Sequence, residues 1–168
     1  MHLRRPPTTQ LVPRVECLDM MATPSESRVP LPWSDRFQKP SAEALLAAMP
    51  VDARGVITHA RQAFNALPGS KETLEWTGPA WRWSWLCTLA GKQGGRVWIV
   101  PDPAAVLLIV ELDAATLEKA RGKKSPRHVR DALADATPVG PNRWCQWTPT
   151  NPGEVDEIVV AIRACIAP

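Results

Sequence analysis

The chain has no tyrosine and two phenylalanines among its 168 residues, yet it has eight tryptophans. The absence of tyrosine removes the phenol that often serves as a general acid or as a hydrogen-bonding anchor. Among phenylalanine, tryptophan and tyrosine, tryptophan is therefore the one ring here that carries a polar handle, its indole N–H. An aromatic binding surface in this protein would have to be built mainly from indoles.

Closely spaced cysteines are also absent. Cys17, Cys87, Cys145 and Cys165 form no C-x-x-C pair, and the three histidines lie far from them in sequence. Zinc sites need clustered thiolates and imidazoles, so we predict no metal site and no cofactor. No apolar run of signal-peptide length follows the N-terminal H-L-R-R-P-P, so a secretory disulfide framework is not indicated. We expect reduced, structural cysteines in a cytoplasmic protein.

The chain has little excess charge of either sign. The formal net charge is +3 with 22% charged residues, which is too small and too scattered to favour nucleic acid as a partner. No run is long and apolar enough for a membrane span, so we predict no membrane partner. An apolar fraction of 45% is sufficient for a real core. We expect a small molecule or a protein as the partner, and we leave its identity and the oligomeric state open.

Proline is abundant, and it divides the chain in two. Prolines recur through residues 1–32, with no helical or alternating period between them. Because proline removes a backbone donor and fixes φ, we predict that residues 1–36 form a disordered, proline-rich tail. Regular patterns begin near Lys39, so we predict a single α+β domain over residues 37–168.

Apolar periodicity predicts the order of elements in this domain. Helices are predicted after the Ser41 cap, over residues 52–66, 113–121 and 125–136, and from Asn151 onward. Strands are predicted over residues 81–90, 96–100, 105–112 and 143–148, with a short edge strand at 74–77 and a turn at 137–142. No strand–helix–strand alternation runs through this order. We therefore expect a twisted, mostly antiparallel sheet of four or five strands, with helices packed mainly on one face.

The run W-R-W-S-W places Trp81, Trp83 and Trp85 at alternate positions. Because successive side chains of a strand point to opposite faces, the three indoles are predicted to share one face. They either fill the core beneath the helices or, with Trp98, line a ligand-binding pocket between the sheet and its covering helices. In a pocket they would hold a planar, sugar-like or cationic ligand through stacking or cation–π contacts of about 0.5–2 kcal/mol each.

The basic segment 119–130 offers an alternative site. Lys123, Lys124, Arg127, His128 and Arg130 surround the predicted start of a helix. Free backbone N–H groups and the helix dipole favour an anion at such a position. An enzyme or carrier acting on a phosphorylated ligand would anchor the phosphate here. A solvated basic loop is the simpler interpretation of the same residues.

No catalytic constellation stands out. Ser84 and Ser125 lack the G-x-S-x-G setting of an activated serine. His59 is predicted on the polar face of a helix, and spacing gives no support for a Cys–His pair with Cys87 or Cys145. We name no catalytic residue, and a non-catalytic ligand-binding or protein-interaction module is the leading interpretation.

The order of motifs along the chain resembles that of a known group. The motifs W-x-W-x-W-x-C-x-L, a glycine-rich turn, V-W-I-V-P, an apolar strand and V-D-E-I-V-V-A-I-R follow one another between Phe37 and Ile166. This order resembles small bacterial proteins of unknown function that are related in fold to the YdhG-like proteins. Their compact α+β domain has been compared with frataxin-type iron chaperones, so the resemblance implies such a fold. Iron binding is not carried over, because acidic residues such as Glu111, Asp113 and Glu118 are scattered and form no ridge.

Overall fold

The computed structural model describes residues 34–90, 95–122 and 124–166. Lys123, residues 91–94 of the glycine turn, and residues 1–33 of the predicted tail lie outside this part of the chain. The elements are α1 Ala42–Ala47, α2 Val51–Asn65, β1 Lys71–Trp76, β2 Trp83–Thr88, β3 Arg96–Val100, β4 Leu107–Asp113, α3 Ala114–Arg121, α4 Arg127–Ala134, β5 Thr137–Val139, β6 Asn142–Trp147 and α5 Pro152–Ile166. None of the described helices is long and apolar enough to cross a bilayer.

The described strands form one sheet in the order β1-β2-β3-β4-β6-β5, and every neighbouring pair is antiparallel. The α+β class is confirmed, but the predicted count of four or five strands is wrong, because the sheet has six. The unpredicted strand is β5. A turn was predicted over residues 137–142 because Pro138 has no N–H to donate to a neighbouring strand. At the edge of a sheet its nitrogen can face outward without loss of a ladder bond.

Local capping explains where two of the helices start. The Asp113 carboxylate accepts hydrogen bonds from the hydroxyl and the backbone N–H of Thr116, at 2.7 and 2.9 Å, just before α3. These bonds favour the ionised form and lower the pKa of Asp113 below its ordinary value. Before α5, the Asn151 side chain accepts from the Glu154 N–H at 3.1 Å, and Glu154 accepts from the Thr150 N–H at 2.8 Å. Both starts agree with the sequence signals.

The main core lies between the helices and one face of the sheet. All five of the described helices contribute buried residues to it, and we call the sheet face that they cover the helix side. Examples are Leu45, Phe64, Leu117, Leu133 and Ile158 from the helices and Trp85, Val97, Leu108 and Cys145 from the strands.

The opposite face, which no described helix covers, carries a second and smaller apolar cluster. Its members are Leu86, Trp98, Val100 and Ile109, with Trp81, Leu107 and Trp144 packed against them. A sheet normally buries an apolar face against another element, so this cluster is the first place to look for a binding surface.

Candidate functional site

The predicted row of three indoles is divided between the two faces of the sheet. Trp83 and Trp85 lie on the helix side with exposures of 7% and 1%, where they fill the main core. Trp81 lies on the helix-free face, against Trp98. The prediction that Trp81 shares a face with Trp83 and Trp85 is therefore wrong. Trp98 lies on the same face as Trp81, whereas Trp83 and Trp85 lie on the opposite face.

The backbone at Arg82 causes this division. β2 begins at Trp83, and Arg82 has a φ of 54°, in the left-handed region that residues with a Cβ rarely adopt. The Arg82 N–H donates to the Gly78 carbonyl at 2.7 Å, and the Arg82 carbonyl accepts from the Thr77 N–H at 2.9 Å. This turn interrupts the strand alternation before Trp83, so Trp81 crosses to the other face.

Three indoles meet on the helix-free face, and we call Trp81, Trp98 and Trp144 the tryptophan face. Their ring centroids are 4.9 Å apart for Trp81 and Trp144, 5.6 Å for Trp81 and Trp98, and 5.4 Å for Trp98 and Trp144, with tilts between 42° and 54°. A flat ligand between two parallel rings would need about 7 Å, which is two van der Waals contacts of about 3.5 Å. The rings instead contact each other, so a ligand would stack on their outer surfaces.

Exposure differs among the three rings. Trp98 is 6% exposed and forms the floor of the cluster, whereas Trp81 and Trp144 are partly exposed. The Nε1 atom of Trp144 is buried and has no hydrogen-bond partner in the described part of the chain. Trp81 and Trp144 are therefore the rings that a ligand could contact.

Trp144 is not among the site residues predicted from the sequence. The alternation in R-W-C-Q-W places Trp144 and Gln146 on one face and Cys145 on the other. The sequence therefore indicated that Trp144 and Cys145 lie on opposite faces of this strand. The proximity of Trp144 to Trp98 depends on the strand order β3-β4-β6, in which β4 alone separates the two strands. That order joins segments far apart in the chain.

A polar corner adjoins the tryptophan face. Glu111 lies between Arg96 and Trp144 in the strand register and is 8% exposed. Arg96 Nε lies 2.8 Å from Glu111 Oε2, and Arg96 Nη2 donates a hydrogen bond to Glu111 Oε1 at 3.4 Å. The Asn142 amide also donates to Oε1. The Arg96 guanidinium also lies 5.6 Å from the Trp98 ring centroid. This corner thus holds a cation against an indole and beside a buried carboxylate.

The basic segment does not converge on one anion site. Arg127 pairs with Asp131 at 3.4 Å, and His128 with Glu157 at 3.4 Å. Lys124 lines a shallow cleft that also contains Glu157.

Arg130 is exposed, and Lys123 lies outside the described residues. Two of the four described members of the predicted anion site, Arg127 and His128, thus lie within 4 Å of a carboxylate, which weakens their attraction for phosphate.

The described side chains offer little nucleophilic or metal chemistry. Burial raises the pKa of the Cys87 and Cys145 thiols to about 12, and at Cys87 the charge of Glu72 adds to the effect. Since the thiolate is the reactive form, neither residue is a ready nucleophile at neutral pH. His59 Nε2 lies 2.7 Å from Asp156 Oδ1 on α5. Within the described ranges no three histidine, cysteine or acidic residues are grouped to hold a metal ion.

Comparison with protein-family models, with curated proteins and with solved structures gives no match for this chain. The resemblance to the YdhG-like proteins therefore stays a prediction.

Proposed function

We propose that the protein is a non-catalytic binding module and that the tryptophan face is its binding surface. The observation that carries this proposal is the meeting of Trp81, Trp98 and Trp144 on a sheet face that no described helix covers. Partly exposed indoles such as Trp81 and Trp144 offer a ligand a large apolar contact area. The proposal also includes a relationship to the bacterial YdhG-like proteins, supported by the motif order. It includes a cytoplasmic setting as well, supported by the buried, unpaired thiols of Cys87 and Cys145.

The polar corner favours a planar, positively charged ligand. Arg96 already shows that a guanidinium can lie against Trp98 while it pairs with Glu111. A ligand cation on the outer surface of Trp144 would be attracted both by the Glu111 carboxylate and by the indole ring. A flat ring would add stacking area that a compact ammonium ion lacks.

The alternative, an enzyme or carrier that holds a phosphorylated ligand at residues 119–130, has less support. Arg127 and His128 each lie 3.4 Å from a carboxylate, and Lys124 lines a cleft that also contains Asp156 and Glu157. The α4 N-terminus follows Pro126 and has no side-chain cap, but no other feature there points to an anion. The tryptophan face is therefore the better candidate.

Calorimetric titration of the full chain with benzamidine, a planar aromatic cation, tests the proposal. Neutral benzamide and a cello-oligosaccharide serve as comparison ligands. We expect benzamidine to bind most tightly, because both its ring and its charge find partners at this surface. Trp81→Ala and Trp144→Ala should each weaken binding about tenfold, which is about 1.4 kcal/mol.

Trp76→Ala is the matched control, because Trp76 lies on the helix side in edge contact with Trp83 at 6.0 Å. Its binding should equal that of the natural chain. Thermal unfolding of each variant checks that the fold is retained. Equal affinity in all three variants, or no binding by any of the three ligands, would rule out the tryptophan face as a small-ligand site.

A further inference from the structure

Strand β6 has an outer edge that its neighbour covers only in part. β5 pairs with residues 142–144 of β6, whereas β4 pairs with β6 as far as Trp147. Beyond Trp144, the outer edge of β6 has no strand partner among the described residues. Main-chain groups on such an edge can accept another strand.

The position of Pro138 shows which groups face this open edge. Pro138 lies opposite Arg143 and has no N–H, so this pair cannot exchange both ladder bonds. Because hydrogen-bonded and non-hydrogen-bonded pairs alternate, Thr137 and Trp144 form a hydrogen-bonded pair. The main-chain groups of Trp144 therefore point to the β5 side. With a period of two, the N–H and C=O of Gln146 point the same way, past the end of β5.

This open edge lines a cleft of about 340 Å³, which we call the edge cleft. One wall is the continuous stretch 146–150, and the others come from His128 and Ala132 of α4 and from Glu154 and Ile158 of α5. The volume lies at the lower end of the range for ligand pockets. Trp147 belongs to the lining, and its buried indole N–H has no hydrogen-bond partner in the described part of the chain.

We propose that an extended peptide segment binds in the edge cleft and adds to β6 as a short antiparallel strand in line with β5. An extended peptide carries N–H and C=O groups at the spacing that an open strand edge presents. The antiparallel direction follows from continuity with the β5–β6 ladder. The edge cleft shares no residue with the tryptophan face, so the two proposals can fail separately.

The cleft also specifies a side-chain pattern for the bound peptide. A peptide residue opposite Trp147 would lie on the helix side near Ile158, so it should be apolar. Residues opposite Gln146 and Thr148 would lie on the helix-free side, where both of these residues are exposed, so they should be polar.

Charge adds one more requirement at the end of the cleft. The Glu154 carboxylate accepts hydrogen bonds from Thr150 alone and forms no ion pair with any described residue. In the antiparallel direction, the N-terminal end of the peptide lies nearest to Glu154. A lysine at this end would complement the charge.

The peptide acetyl-Lys-Thr-Val-Thr-amide has this pattern and serves as the probe, with NMR titration of the full chain as the measurement. At about 1 mM peptide, we expect shifts in the backbone amide signals of Gln146 and Thr148. The two threonine N–H groups of the peptide would face β6, whereas the valine N–H would face away. N-methylation of either threonine should weaken binding at least about tenfold, and N-methylation of the valine should be tolerated.

A pair of variants at Gln146 tests the same edge from the side of the protein. Gln146→Pro removes the outward N–H without loss of a bond to β4, so it should weaken peptide binding about tenfold. Gln146→Ala keeps the main chain and should bind as the natural chain does. If Gln146→Pro fails to fold, the affinities of the N-methylated peptides for the unsubstituted chain test the proposal instead. Unshifted Gln146 and Thr148 amides, or equal affinity for all N-methylated peptides, would overturn the proposal.

Discussion

Arg82 shows how much of the site depends on one residue. Its left-handed backbone carries a cost of about 1–2 kcal/mol for a residue with a Cβ. Two backbone hydrogen bonds stabilise the turn and offset this cost: the Arg82 N–H donates to the Gly78 carbonyl, and the Thr77 N–H donates to the Arg82 carbonyl. Because this turn places Trp81 on the helix-free face, the tryptophan face depends on the backbone conformation of Arg82.

Substitution at Arg82 should therefore act through the backbone. Arg82→Val should lower the free energy of unfolding by about 1–2 kcal/mol, because β-branched residues fit the left-handed region poorly. Arg82→Asn should leave it nearly unchanged, since asparagine adopts this region more readily. The Arg82 side chain is exposed, so its loss alone should matter little. Urea unfolding measures both variants, and equal stability of the two would contradict the backbone explanation.

At the scale of elements, a side-chain clamp joins α2 to the edge strand β1. Arg61 Nη2 is 2.6 Å from Glu72 Oε1, and Arg61 Nε is 3.0 Å from Oε2, while the Asn65 amide donates to Oε2 at 2.9 Å. The Arg61 guanidinium also lies 4.8 Å from the Trp85 ring centroid. Since the two charged side chains are largely buried, this ion pair is better protected from water than those on the surface.

The clamp should have a measurable effect on stability. Arg61→Ala leaves the Glu72 carboxylate without its main partner and should lower the free energy of unfolding by about 2–3 kcal/mol. The matched control is Arg127→Ala, which breaks the exposed Arg127–Asp131 pair of α4. The control should change stability by less than about 0.5 kcal/mol, because water screens exposed pairs. Similar losses in the two variants, measured by urea unfolding, would show that the clamp contributes no more than a surface ion pair.

At the scale of the whole molecule, the described residues contain two packed clusters around one sheet. The buried apolar residues that the structure describes begin at Leu45, and the Trp83 indole N–H donates to the Asp35 carbonyl at 2.6 Å. This hydrogen bond connects a residue just before Phe37, the predicted start of the domain, to strand β2 of the sheet.

We predict that a chain starting at Pro30 unfolds cooperatively, with a midpoint close to that of the full chain. It keeps both clusters and the Asp35 carbonyl. A chain starting at Gln38 loses this acceptor for the Trp83 indole and should be less stable by about 1 kcal/mol. Thermal unfolding followed by circular dichroism compares the three chains. Loss of cooperativity in the chain that starts at Pro30 would contradict the domain boundary.

By itself the sequence determined the helices, the long strands and the α+β class, because caps and apolar periods act over a few neighbouring residues. Asp113 and Asn151 cap helices where their side chains predict it, and β2 and β3 lie within their predicted ranges. The same local rules failed at β5, since a proline that breaks an inner strand is tolerated at an edge.

The tertiary structure alone decided the two candidate sites. The side of the sheet on which Trp81 lies depends on the φ of Arg82, and the contact of Trp98 with Trp144 depends on the order β3-β4-β6. The open edge at Gln146 exists because β5 ends opposite Trp144. The Arg82 φ belongs to a short turn whose hydrogen bonds with Thr77 and Gly78 the alternation of tryptophans does not reveal. The other two features are relations between segments that are brought together only when the sheet forms, so no local pattern in the sequence contains them.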